Sequence, residues 1–236
     1  MSEPKVCGIL GGLGPTATAD LYKAIITSTP AEKDQDHLHI IINANPRIPD
    51  RTADIINGTT FSLPGLIKSA QTLEQAGANF IVMPCNTVHH FLDVIQAEIN
   101  IPILDMIKLT AQALHKLNYK KVGMISTSAT IKSQLYQKAL KEFNIEIVGL
   151  TLSAITNSME IIYGPKGIKA GVQYEFSDHN RDLALAVIAE QNRHGAEAII
   201  LGCTEIPLAI KPSQSPLPLI NATQVLAEAI VAECWA

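Results

Sequence analysis

Two cysteines stand where chemistry can be done. Cys85 follows the apolar run Phe80-Ile81-Val82-Met83 and is succeeded by Asn86-Thr87, while Cys203 follows Ala198-Ile199-Ile200-Leu201 and is succeeded by Thr204-Glu205. Each thiol is presented just after a run with the length of a buried strand, ahead of small hydroxyl or amide side chains that can aim hydrogen bonds. Open α/β sheets bind their ligands at the carboxyl ends of their strands. The thiolate is the reactive form of cysteine, and its pKa falls near helix N-termini and positive charge. Both thiols are expected just ahead of helices, so together they suit proton transfer, one acid/base on each side of a bound ligand. Cys7, inside a strand-like run, and Cys234, near the C-terminus, are expected only to pack.

Charged groups sit near the same strand ends. Arg47 and Arg51 are two of four arginines, and they share a proline-stiffened loop, Asn45-Pro46-Arg47-Ile48-Pro49-Asp50-Arg51. A guanidinium clamps a carboxylate in bidentate fashion, so one of them is expected to bind an acidic group. Lys169, in a glycine-flanked segment, offers a second positive contact. Asp50 and Glu205 are placed to orient a thiol or an ammonium. Cys85 and His89 have one-turn spacing, but no further ligands stand in register for a metal.

These side chains need elements to hold them. Val6 to Leu10 reads as a buried strand, Gly11 to Gly14 as a tight loop, and Pro15 to about Ser28 as a helix opened by proline in its first turn. Strands follow at Leu38–Ile42, Phe80–Met83 and Ile101–Leu104, with a helix from about Leu66 to Ala76. Near Asp105 the pattern restarts. Strands are expected at Val122–Ser126, Glu146–Leu150, Ala198–Leu201 and Leu219-Ile220, with a long helix at about 178–193 and a closing helix from Thr223 to Trp235. Gly8 and Gly123, Cys85 and Cys203, and Leu104 and Ile220 lie 115, 118 and 116 residues apart. Three landmarks on nearly one offset argue for a duplicated α/β unit. The first lobe is expected at 1–104 with about 212–236 returning to it, and the second at 105–211.

Composition narrows the class of function. The 236-residue chain carries a formal net charge of −4 and no basic run, which removes the electrostatic footprint of a nucleic-acid or anionic-membrane binder. Hydrophobic residues reach 47% but aromatics only 5%, which suits aliphatic buried strands between helices better than a β-sandwich. Met1-Ser2-Glu3-Pro4-Lys5 leads directly into the first strand, and no apolar stretch nears the roughly 18 residues that span a bilayer. A soluble cytoplasmic protein with free thiols and a small-molecule partner is expected.

Five motifs in order, Gly11-Gly12-Leu13-Gly14-Pro15-Thr16-Ala17-Thr18, Pro49-Asp50-Arg51-Thr52, Pro84-Cys85-Asn86-Thr87, Ile168-Lys169-Ala170-Gly171 and Gly202-Cys203-Thr204-Glu205, resemble the aspartate/glutamate racemase family, and aspartate racemases most. The resemblance covers essentially the whole chain. It implies a cofactor-independent isomerase and a homodimer, with two similar lobes, each a four-stranded mostly parallel sheet flanked by helices, and the active site in the cleft between them. It makes Cys85 and Cys203 the acid/bases. It assigns Asn86, Thr87 and Thr204 to the substrate's α-carboxylate and ammonium, with Thr127 in the matching loop of the second lobe and Gly12 and Leu13 in the first. It gives Arg51 and Lys169 to the side-chain carboxylate, with Lys166 the alternative to Lys169, because Gly164-Pro165-Lys166-Gly167 departs from the family's spacing. Arg47 lies outside the matched motif and ranks behind Arg51, and Glu205 completes the set.

Two rival readings come from other classes. Gly12-Leu13-Gly14-Pro15-Thr16-Ala17 formally fits a dinucleotide fingerprint, but the second strand ends in Asn43-Ala44-Asn45 with no acidic residue for a ribose. A two-lobed binding protein without chemistry has no use for matched thiols. Aspartate, glutamate and broader specificity remain open as substrates.

Overall fold

The computed structural model describes residues 4–236. Met1-Ser2-Glu3, ahead of the first expected strand, lies outside them. Every residue of β1 (Cys7–Gly11) is buried, which a parallel strand covered on both faces requires. Gly14 then caps α1 (Pro15–Ser28), whose fixed proline φ opens the first turn and whose Ala17, Thr18, Leu21 and Ile25 form one buried stripe. β2 (Ile40–Ala44), α2 (Arg51–Asn57), α3 (Leu63–Gln75), β3 (Phe80–Val82), the short α4 (Leu92–Gln96) and α5 (Met106–Lys116) follow. The sheet has the order β2-β1-β3 and is parallel throughout, with Gly8 opposite both Ile41 and Ile81.

The expected fourth strand of this sheet is not formed. Ile101–Leu104 makes a single parallel bridge, Ile81 with Ile103, through Ile81 N–H to the Pro102 carbonyl (2.8 Å) and Leu104 N–H to the Ile81 carbonyl (2.9 Å). Pro102 has no N–H with which to extend a ladder.

Thr110–Ala222 forms a second unit, and the first consists of the residues up to Leu109 together with Thr223–Ala236. Its elements are β4 (Lys121–Ser126), α6 (Ser128–Lys132), α7 (Leu135–Lys141), β5 (Glu146–Ile147), α8 (Leu152–Tyr163), α9 (Asp178–Arg193), β6 (Ala198–Gly202) and β7 (Leu219–Asn221), after which α10 (Ala222–Cys234) closes the chain. The parallel order is β5-β4-β6-β7. Because Leu219–Asn221 pairs with β6, residues 212–222 belong to this unit and not, as expected, to the first. Ile125, Ile161, Ile188, Ile199 and Leu201 share its core. Among the described residues no helix is long and apolar enough to cross a membrane.

β5 is only two residues long, and this leaves a debt on β4. Along a parallel strand alternate residues face one neighbour; the carbonyls of Lys120 and Val122 accept from β5 and the residue after it, so Met124 faces the same side with no strand left to meet it. The Gln191 side chain of α9 takes that place. Its Oε1 accepts from Met124 N–H (2.5 Å) and its Nε2 donates to the Met124 carbonyl (2.9 Å). The approach demands glycine at 123, where a Cβ would fall 2.0 Å from Gln191 Oε1. Gln191→Leu leaves a buried donor and a buried acceptor unpaired at about 1–3 kcal/mol each. The expected loss is roughly 2–6 kcal/mol, read as a lowered denaturant midpoint at unchanged slope; a variant as stable as the parent would show that the clamp carries no weight.

Candidate active site

In the first unit the loop after β1 is tied down from within. Thr18 Oγ1 accepts from Gly12 N–H (2.9 Å) and donates to the Gly14 carbonyl (2.9 Å). Gly12 has φ +84°, and a Cβ there would meet the Asn45 backbone at 2.5 Å, so two strand-end loops approach as closely as glycine allows. The amide that a bound phosphate would use is therefore already committed to Thr18, which weighs further against the dinucleotide reading.

Arg51 opens α2, whose N-cap Asp50 accepts from Ala53 N–H (2.8 Å). Arg51 as a whole is 6% exposed. Nη1 donates to the carbonyls of Ile48 (3.3 Å) and Pro49 (3.0 Å), and Nη2 to the carbonyl of Leu13. Nε is buried with no partner, and among the described residues Arg51 forms no ion pair. A buried cation held only by carbonyl dipoles is an incomplete arrangement, which an incoming carboxylate would complete. Arg47 is exposed, and among the described residues only its backbone N–H is engaged, by Asn45 Oδ1 (3.1 Å), so the structure does not bring its side chain into this cluster.

Cys85 lies beyond β3, 8% exposed, in a tight turn in which its N–H reaches the Met83 carbonyl (2.7 Å). Asn86 and Thr87 beside it are buried. The expected helix after it starts as a 3-10 turn, Thr87–Phe91, and α4 adds only five residues, so few peptide dipoles align behind the thiol. His89, one turn from Cys85 in the sequence, is engaged at both ring nitrogens. Its Nε2 accepts from Met106 N–H (3.1 Å), which assigns the proton to Nδ1, and Nδ1 donates to the Cys85 carbonyl (2.9 Å). Burial pushes its pKa down, against the opposing pull of Asp105 and the backbone. A neutral imidazole thus ties the Cys85 turn to the start of α5, and neither ring nitrogen is open to share a metal with Cys85.

In the second unit Ser126 stands opposite Gly202, so Thr127 and Cys203 leave adjacent strand ends side by side in sequence register. Thr127 caps α6, its Oγ1 accepting from Thr130 N–H (3.1 Å). Cys203 is 5% exposed, and its Sγ donates to Glu205 Oε2 (3.0 Å). Thr204 Oγ1 also reaches that oxygen (3.3 Å), and Lys169 Nζ pairs with the other, Oε1 (2.7 Å). Burial first, and then the Glu205 charge, push the Cys203 thiol well above the ordinary range; the Lys169 charge opposes them. Here the expected helix is absent, replaced by the 3-10 turn Ile206–Leu208, which has proline at its second position. Lys169 is half-buried beside Glu205 whereas Lys166 is exposed, so the geometry favours Lys169 over the alternative.

The family model for Asp/Glu/Hydantoin racemase matches residues 10–230. The broad specificity amino-acid racemase RacX of Bacillus subtilis is 28% identical over 233 residues, covering 95% of this chain and 96% of its own. The glutamate racemase of Aquifex pyrophilus is 27% identical over 194 residues, 75% of this chain and 71% of that one. Among solved structures, Picrophilus torridus aspartate racemase superimposes with a TM-score of 0.83 at 30% identity, covering 98% of this chain and 94% of that chain.

One carboxylate supports the helix that carries Arg51. Asp54 accepts from Thr59 Oγ1 (2.6 Å), Phe61 N–H (3.1 Å) and Ser62 N–H (2.7 Å). Burial alone would raise its pKa, but the hydrogen bonds from Ser62, Thr59 and Phe61 outweigh burial and lower it. A depressed folded-state pKa contributes stability that is present above the unfolded value, about 3.9, and is lost as pH falls through the folded one. Stability should therefore fall below about pH 4 more steeply in the parent than in Asp54→Asn, as measured by denaturant midpoints across acid pH; parallel curves would remove Asp54 from the account.

Proposed function

We propose that this chain, which belongs to the Asp/Glu/hydantoin racemase family and is therefore an amino-acid racemase, acts on a dicarboxylic substrate, aspartate first, with Cys85 and Cys203 as its two acid/bases. One sulfur, as thiolate, takes the α-hydrogen: the C–H bond breaks, an S–H bond forms, and the electron pair stays on the α-carbon beside the carboxylate. The other thiol gives its proton to the opposite face, so configuration inverts while one proton has moved between sulfurs. Neither step needs a cofactor. Cys203, held protonated by burial and Glu205, is suited to enter as the acid.

The observation that carries the substrate class is Arg51, a buried guanidinium with an unpartnered Nε and no counter-charge among the described residues. A side-chain carboxylate would supply both what its charge and what its donor lack. Lys169 would be the second cation for that carboxylate. Asn86, Thr87, Thr127 and Thr204, all buried, and the loop of Gly12 and Leu13 would hold the α-carboxylate and ammonium. RacX, similar along 95% of this chain, acts broadly, so neutral amino acids are the competing reading. Following α-hydrogen exchange of single enantiomers of aspartate, glutamate and alanine in deuterated water separates the two.

Arg51→Ala should reduce kcat/KM for aspartate by roughly 10- to 150-fold, the value of a charged contact of about 1.5–3 kcal/mol, and that for alanine much less. Taking the ratio of substrates removes any loss of folded protein. Equal losses would assign Arg51 to the α-carboxylate or to the fold.

The thiol pair makes a sharper prediction. Cys85→Ser and Cys203→Ser should each lose racemisation by at least about 10²–10⁴-fold, since the hydroxyl is a far weaker acid than the thiol. One variant should still exchange the α-hydrogen of the L isomer with deuterated solvent, and the other that of the D isomer, because each keeps the base for one face. Exchange of the same enantiomer by both, or inversion surviving either change, contradicts the two-thiol mechanism.

A further inference from the structure

Lys169 lies in residues 164–177, which contain no strand and no α-helix, only the single 3-10 turns Ile168–Ala170 and Val172–Tyr174. Something other than regular hydrogen bonding must set where its ammonium stands. Asn180, in the first turn of α9 and 0% exposed, is placed to do so. Its Nδ2 donates to the carbonyls of Lys166 (2.9 Å) and Tyr174 (3.0 Å), one on each side of Lys169 along the chain. Only an NH₂ group can meet two carbonyls at once, which assigns the orientation of the amide and leaves Oδ1 buried without a partner. An aliphatic side chain would avoid that penalty. The amide therefore carries a cost of its own, and what it gains is the two carbonyls.

The cinched loop is also fastened to the turn that follows Cys203. Phe176 N–H donates to the Leu208 carbonyl (2.7 Å), Lys169 pairs with Glu205 (2.7 Å), and Ile168 is 3% exposed in the core. The N-cap Ser177 accepts from Asn180 N–H (3.3 Å), which holds the amide-bearing turn itself. We propose that Asn180 is a positioning residue for substrate selectivity: by drawing the carbonyls of 166 and 174 together it sets where Lys169 meets Glu205 beside Cys203. This rests on reading Lys169 as a contact for the substrate's side-chain carboxylate.

The test uses Asn180→Asp, which keeps the shape but turns oxygen toward both carbonyls, with Asn180→Ala as the second variant should the first fail to fold. Amide hydrogen exchange of residues 167–173 in the substrate-free protein should quicken in the variants while β4 and β6 are unchanged. KM for aspartate should rise roughly 10- to 100-fold, as for a contact group displaced by about an ångström, and alanine turnover should change far less. In a Lys169→Met background the same substitution at 180 should add nothing, because both changes remove one contact. Additive effects, equal losses for the two amino acids, or unaltered exchange across 167–173 overturn the inference and leave Asn180 a packing residue. If Lys169→Met alone leaves the aspartate KM unaltered, the reading of Lys169 falls and the inference with it, an outcome told apart from the others by that single variant.

Discussion

The carboxylate of a glutamate that is 3% exposed cannot stand by itself, and much of the second unit is arranged around that fact at Glu205. Removing an ionised group from water costs several kcal/mol unless charge and hydrogen bonds replace the lost solvent. Lys169 supplies the charge, and Cys203 and Thr204 supply donors. Each of the three is thereby fixed relative to the others: the lysine is drawn out of an irregular loop, the thiol acquires an acceptor, and the turn after β6 takes its shape. The same contact adds to burial in holding the sulfur's proton in place, so a residue that satisfies the fold also lowers the acidity of the group beside it.

The first unit solves a related problem differently. Arg51 is buried against carbonyl oxygens rather than a carboxylate, which gives its donors directions but leaves its charge open. A neutral imidazole performs the structural tie at Cys85 that an ion pair performs at Cys203. The two thiols therefore leave similar strand ends into unlike electrostatic surroundings, although the sequence around them is nearly repeated.

That repetition is why so much could be read in advance. Fully buried parallel strands need unbroken aliphatic runs, and the runs at 7–11, 80–82 and 198–202 are those strands; the long helix expected at about 178–193 spans Asp178–Arg193. What could not be read depends on contacts far apart in the chain. Gln191 and Met124 are 67 residues apart, and no local pattern tells a glutamine that completes a sheet from one facing water. Asn180 looks like any polar residue in a first helical turn. Pro102 did carry a warning against a fourth strand, since it has no N–H to give. The assignment of residues 212–222 turned on which strand β7 would pair with, and a three-residue strand holds too little pattern to say. The 3-10 turns after both cysteines, where helices were expected, show the same limit: short apolar segments rich in small polar residues do not announce how tightly they will wind.

The glutamine on β4 has one more consequence. A strand whose neighbour stops early exposes main-chain donors and acceptors, which is the feature by which one chain recruits another into a shared sheet and begins to aggregate. Gln191 removes that template at Met124 with its own amide, delivered from a helix rather than from a strand. Since a side chain cannot be extended by a further strand, the main-chain groups of Met124 are spoken for and offer no position at which a further strand could pair.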